Sequence, residues 1–154
     1  MELIRMGTED AFRLWKMQVE AFAGLYKKYQ DTETSPAAET VEKVRMRLEQ
    51  PFTYYYWIRQ NGVDVGTVRV VDKGESCIPK RISPLFVLPT YRNRGIAQRA
   101  LRAVEELHGR SGWELETILQ EKGNCYLYEK MGYHLSGEQK VINEKMTLVI
   151  YKKD

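Results

Sequence analysis

The chain has 154 residues, 43% of them hydrophobic and 29% charged, with a net charge of +3. This is an ordinary composition for a soluble globular protein, and the length suits a single domain over residues 1–154 with a real core. No apolar run approaches the roughly 20 residues of a membrane helix, and the charge is too small to argue for nucleic acid by itself.

The opening residues MELIRMGTED lack the apolar centre of a signal peptide. A cytoplasmic protein is therefore expected, with no membrane partner. The two cysteines, Cys77 and Cys125, have no metal-site spacing and read as free thiols. No metal is expected.

Glu2 to Met6 reads as a first strand. Thr8 can cap a helix, with Glu9 and Asp10 in its first turn. Phe12, Trp15, Val19, Phe22 and Tyr26 recur at spacings of three and four, which predicts one buried helix face. Tyr26 and Tyr29, at the far end, could instead border a pocket. Residues 31–40 form a polar break carrying Asp31, Glu33 and Glu39. Acidic groups there either solvate a loop or attract a cation. Ser35-Pro36 signals a new helix start, followed by a modest stripe of Val41, Val44 and Leu48.

Thr53 to Gln60 is rich in strand formers. Asn61-Gly62 is a two-residue hairpin signal, and Val63 to Val71 returns. Asp72-Lys73-Gly74 turns the chain into a third strand ending at Leu88. Pro79 and Pro84 fall in that strand, and proline there implies a bulge or an unpaired edge.

Residues 82–107 organise the rest. Ile82, Leu85, Phe86, Val87 and Leu88 are strand-like, and Pro89 ends the run. From Ile96, the residues Ala97, Ala100, Leu101, Val104 and Leu107 follow helical spacing. Arg92, Asn93, Arg94 and Gly95 therefore sit at a helix N-terminus, where unpaired N–H groups and the dipole suit an anion. Gly95 lets a ligand approach the backbone. Arg99 and Arg102 add charge. The physical reading is a phosphate or pyrophosphate site. His108-Gly109 closes the helix, with His108 a cap or surface group. Trp113 to Ile118 alternates as a strand, parallel to its predecessor through a right-handed crossover.

A short helix follows. Asn124 and Tyr128 stand four apart, on one face, and Gly132 stops it. Tyr133 to Val141 and Met146 to Lys152 close the chain as two strands around Asn143-Glu144-Lys145. His134 reads as structural or exposed.

Two stretches resemble the GNAT N-acetyltransferase superfamily. Arg92-x-x-Gly95-x-Ala97, after a strand ending in Leu85-Phe86-Val87, is similar to its coenzyme A signature. The run LYEKMGY, Leu127 to Tyr133, is similar to its closing motif. The resemblance implies an α/β (α+β) fold: a mixed, largely antiparallel sheet of six to seven strands, about four helices and a splayed central strand pair. It implies acetyl-CoA as co-substrate, with its pyrophosphate at Arg92, Asn93, Arg94, Gly95, Ile96 and Ala97. Phe86 and Val87 would offer backbone groups to the pantetheine arm, as would the side chain of Asn124. Tyr128 would stand beside the thioester sulfur as the catalytic residue. Asn124 stands closer to Tyr128 than in the commonest family spacing.

The implied activity is acetyl transfer to a primary amine, of a small molecule first and of a protein or peptide second. A non-catalytic acyl-CoA sensor is the other class. Nucleic-acid binding through the arginines lacks an aromatic-basic motif. The proton acceptor stays open between Glu114, Glu116 and a water relay. A C-terminal strand edge could support a homodimer.

Overall fold

The computed structural model describes all 154 residues, Met1–Asp154. In chain order the elements are β1 (Glu2–Arg5), α1 (Ala11–Tyr29), α2 (Val41–Glu49), β2 (Thr53–Gln60), β3 (Val63–Val71) and β4 (Lys80–Val87). Then come α3 (Ile96–His108), β5 (Trp113–Ile118), α4 (Lys122–Lys130), β6 (His134–Asn143) and β7 (Met146–Lys153). Seven strands form one mixed sheet in the order β1-β2-β3-β4-β5-β7-β6. Every neighbouring pair is antiparallel except β4 with β5. No helix is long and apolar enough to cross a membrane.

Local chemistry explains the frame. Asn61 and Gly62 both take positive φ, 50° and 78°, as a tight hairpin of right-handed twist requires. Gly109 ends α3. At the end of α4, Tyr133 N–H reaches back to the Tyr128 carbonyl at 2.9 Å across Gly132, whose φ is +93°.

The largest core lies between the sheet and α3, around Val68, Val70, Leu101, Val104, Trp113 and Leu115. A smaller one joins α1 and α2 to β2 through Leu14, Val44, Tyr55 and Trp57. A third, of Tyr29, Met146 and Leu148, ties the end of α1 to β7.

The expected buried face of α1 is rotated. Phe12 is 59% exposed, and the inward line is Ala11, Leu14, Gln18, Ala21 and Tyr29. The small residues on that line let the helix lie close to the sheet. Gln18 can be buried because it donates to the Pro36 carbonyl and to Glu39, each at 2.8 Å. Thr8 does not cap α1. It begins a 3-10 turn, and Asp10 accepts from Gly7 N–H at 2.9 Å. Leu107 points outward, at 60% exposure. His108 is no surface group: it meets the Tyr56 hydroxyl at 2.8 Å, and burial holds its pKa below 6.5 despite Asp72 nearby.

The irregularity at Pro84 positions everything that follows. Between β3 and β4 the register shifts, with Val68 opposite Leu85 but Val70 opposite Ile82. Arg69 Nη1 donates to the Ser83 carbonyl inside this bulge at 3.0 Å. β4 pairs with β5 only over Lys80, Arg81 and Ile82. Beyond Ile82 the two parallel strands separate.

Candidate active site

The separation exposes one edge of β4. Leu88 N–H bonds the Val65 carbonyl on β3 at 2.8 Å. Antiparallel pairing alternates, so Phe86, opposite Thr67, turns its backbone the same way. Leu85 and Val87 turn theirs toward the gap. The expectation that Phe86 offers backbone groups there is not met, because β3 takes them. Phe86 contributes a side chain instead, edge-on to Phe22 of α1 at 5.5 Å between ring centres. Leu85, absent from the sequence-based expectation, faces the gap with Val87. Only strand register reveals this parity.

A cleft of about 410 Å³ runs from this edge to the start of α3. Val87, Asn93, Gly95 and Ala97 line one side, Asn124 and Tyr128 of α4 the other. Asn93 and Gly95 have φ of +64° and +74°. Around Gly95 an added Cβ would meet nothing closer than Arg99 Nη1 at 3.5 Å. Backbone conformation, not crowding, therefore favours glycine here, and the loop surface stays open to a ligand. Unpaired N–H groups at the start of α3 add an anion-binding end. An elongated phosphate-bearing molecule such as coenzyme A fits these residues: an anion end, then a strand edge with free hydrogen-bonding groups.

Two of the arginines take other places. Arg92 donates from Nε to the Val87 carbonyl at 2.9 Å and from Nη2 to the Ala21 carbonyl at 2.8 Å. Its side chain straps the loop to β4 and α1, leaving its position but not its guanidinium for a phosphate. Arg94 lies outside the cleft, its guanidinium 5.7 Å from the Tyr91 ring centre. Ile96 lines the cleft from the first turn of α3 and is buried.

A second cavity, of about 170 Å³, opens on the α1 side of the splay. It shares Phe22, Leu25, Leu85, Asn124 and Tyr128 with the cleft. The two spaces thus meet at one point, beside Tyr128. The Tyr128 side chain is buried, and burial pushes its phenol up to about 12, with Cys125 adding a little. The phenol stays protonated near neutrality and can only donate to a developing anion.

The two candidate proton acceptors part company. Glu116 lines the second cavity, 3.9 Å from Arg81. Glu114 does not line it and bonds Arg81 at 3.3 Å. Two further carboxylates sit in the site: Asp31, which the sequence reads either as a loop charge or as a group that attracts a cation, and Glu121, which the sequence does not single out. Asp31 lines the second cavity and is 3% exposed. Glu121 lines the cleft, accepting from Lys28 at 2.8 Å and from the Tyr29 hydroxyl. Burial pushes Glu121 up, but these bonds outweigh it and hold its carboxyl below the usual range. Neither location has a sequence signal, since both depend on how the end of α1 meets the sheet. Tyr29 lines the second cavity, whereas Tyr26 lines neither space.

Comparison with known proteins gives the chain a family. A family profile described as an acetyltransferase (GNAT) domain matches residues 51–135, more than half of the chain. No curated protein sequence matches it. Solved structures do. A PaiA N-acetyltransferase from Thermoplasma acidophilum in complex with coenzyme A is 13% identical, covering 99% of this chain and 98% of its own, with a TM-score of 0.70. An aminoglycoside 6'-acetyltransferase is 17% identical over 99% and 97%, with a TM-score of 0.68. A ribosomal α-N-protein acetyltransferase in complex with coenzyme A is 11% identical over 97% and 90%, with a TM-score of 0.71. At such identities the likeness carries the fold. The names of these three proteins span small-molecule and protein acceptors.

Proposed function

This chain belongs to the GNAT acetyltransferase family, and on that premise we propose that it transfers an acetyl group from acetyl-CoA to the primary amine of a small molecule. The observation that carries the reading is the meeting of two spaces at Tyr128. One runs from the β4 edge to the Asn93–Ala97 loop, as a phosphate-bearing carrier would, and the other, of about 170 Å³, is of a size to hold a small acceptor.

Acetyl-CoA supplies the activated acetyl group. The loop from Asn93 to Ala97 receives its phosphates, and the edge formed by Leu85 and Val87 receives its extended arm. Asn124, on the same face of α4 as Tyr128, reaches the same arm. The Val87 N–H faces the gap and stabilises the negative charge that the thioester oxygen gains. The Val87 carbonyl is held by Arg92, which fixes that peptide group in place.

The amine attacks only as free base, and a lysine-like ammonium has a pKa of about 10.4. Glu116 takes its proton, directly or through water, because it is the candidate carboxylate that lines the acceptor cavity. The nitrogen then bonds to the carbonyl carbon and the carbon–sulfur bond breaks. The remaining extra proton of the nitrogen passes to the departing sulfur, which leaves as the thiol, while Tyr128 donates a hydrogen bond to that sulfur as its charge develops. Holding both substrates side by side supplies the entropic part of the acceleration.

The test is thiol release from acetyl-CoA with a panel of primary amines. Amine-dependent release, with intersecting double-reciprocal lines for direct attack, is the expected result. Binding of acetyl-CoA with no release on any amine would overturn the enzymatic reading in favour of an acyl-CoA sensor.

A further inference from the structure

The acceptor cavity holds a charge that the reaction does not use. Asp31 is 3% exposed, yet no lysine, arginine or histidine forms an ion pair with it. Its hydrogen bonds come from its own turn: Glu33 N–H at 3.0 Å, Thr34 N–H at 2.9 Å and the Thr34 hydroxyl. The neighbouring carboxylates all have cations. Glu33 pairs with Lys140 at 3.0 Å, Glu121 with Lys28 at 2.8 Å, and Glu39 with Arg47. A buried carboxylate ordinarily has a counter-charge, because losing hydration is costly.

The lining of the cavity sharpens this. It contains two carboxylates, Asp31 and Glu116, and no basic side chain. Apolar side chains make up half of it, among them Leu25, Ile118, Met146 and Leu148. An acceptor carrying a carboxylate or phosphate would find no cation here. The roles of the two carboxylates also differ. A carboxylate that faces no other cation keeps an ammonium in contact with it charged, and a charged nitrogen cannot attack. Glu116 already faces Arg81 at 3.9 Å and so holds an ammonium less strongly. Asp31, buried at the cavity wall with no cation paired to it, is therefore a poor seat for the reacting nitrogen and a good seat for one that stays charged.

We propose that the acceptor is a diamine, a primary amine joined by a short apolar spacer to a second cationic group that Asp31 receives. The reacting amine lies at the junction beside Tyr128, and the spacer lies on the apolar lining. The inference rests on reading this cavity as the acceptor site.

Calorimetric titration tests it, with and without saturating coenzyme A. The probes are butylamine, 1,4-diaminobutane and 4-aminobutanoate, with the five-carbon set run beside them. The expected result is at least 10-fold tighter binding of a diamine than of its matched monoamine, and no binding of the amino acid. In Asp31→Asn, which keeps an acceptor for the turn N–H groups, that preference should collapse to within about 2-fold. Equal affinity for diamine and monoamine in the wild-type protein overturns the proposal, whether or not the variant folds. So does a preference that survives Asp31→Asn, or tight binding of the amino acid. Thiol release on the same mixtures separates the two readings. Diamine preference without acetyl transfer leaves the cation seat and removes the transferase. Acetyl transfer without diamine preference does the reverse.

Discussion

Tyr128→Phe removes one oxygen at the point where the two spaces meet. The phenol sits at about 12, whereas a thiol has a pKa of about 8.5. Full proton transfer to a departing thiolate is thus uphill by about 3.5 pKa units, about 5 kcal/mol. Tyr128 therefore acts by hydrogen bonding to the sulfur as charge develops, and a bond to a charged group contributes about 1.5–3 kcal/mol. Lost only in the transition state, that amounts to a fall of about 10- to 150-fold in kcat. No residue of the chain takes the Tyr128 hydroxyl as a hydrogen-bond partner, so the exchange should leave stability within about 0.5 kcal/mol. The assay is steady-state kinetics beside a direct titration of acetyl-CoA. The expected outcome is a large loss in kcat, with the dissociation constant changed by less than about 3-fold. A kcat within 2-fold of wild type would refute the role of the phenol.

Other outcomes follow from the same geometry. Gly95→Val forces a β-branched residue to φ of +74°, a strain of about 1–2 kcal/mol. Tm should fall by about 2–8 °C, and affinity for coenzyme A should fall more than 10-fold; unchanged affinity would move the phosphate site elsewhere. Arg92→Ala cuts the strap to Val87 and Ala21 and should destabilise by about 1–2 kcal/mol in urea unfolding. Arg92→Lys, which cannot reach both carbonyls, should not restore it, and a wild-type unfolding midpoint in either variant would contradict the strap. The pKa of His108 lies below 6.5 in the folded chain, so below that value the unfolded chain binds more protons. Stability should therefore fall as pH drops from about 7 to about 5, and His108→Gln should flatten that part of the profile. An unchanged slope in the variant would assign the titration to other groups.

The strands were legible because their chemistry is local. β2, β3 and β5 run between the residues that composition and alternation mark, and Asn61-Gly62 sets the hairpin between the first two. Pro84 announced the bulge that opens the sheet. The helix α1 was misread because it carries two apolar lines. The bulky line of Phe12, Trp15 and Val19 looks like core, but Phe12 is exposed and the other two are half-buried, whereas the slim line of Ala11, Leu14 and Ala21 is fully buried. Within the site, the Gly95 loop and the Asn124–Tyr128 face were legible from spacing. The strap from Arg92 to Ala21 was not, since it joins residues 71 apart in sequence. Nor was the burial of Asp31, a charge in a polar stretch whose surroundings come from α1 and the sheet.

The most direct test of the central claim is thermal unfolding with acetyl-CoA, coenzyme A or ATP in excess. A ligand at about 100 times its dissociation constant adds about 2.7 kcal/mol, several degrees for a chain of this size. The account predicts a rise with both coenzyme A species and none with ATP. No rise with acetyl-CoA or coenzyme A, or an equal rise with ATP, would contradict it.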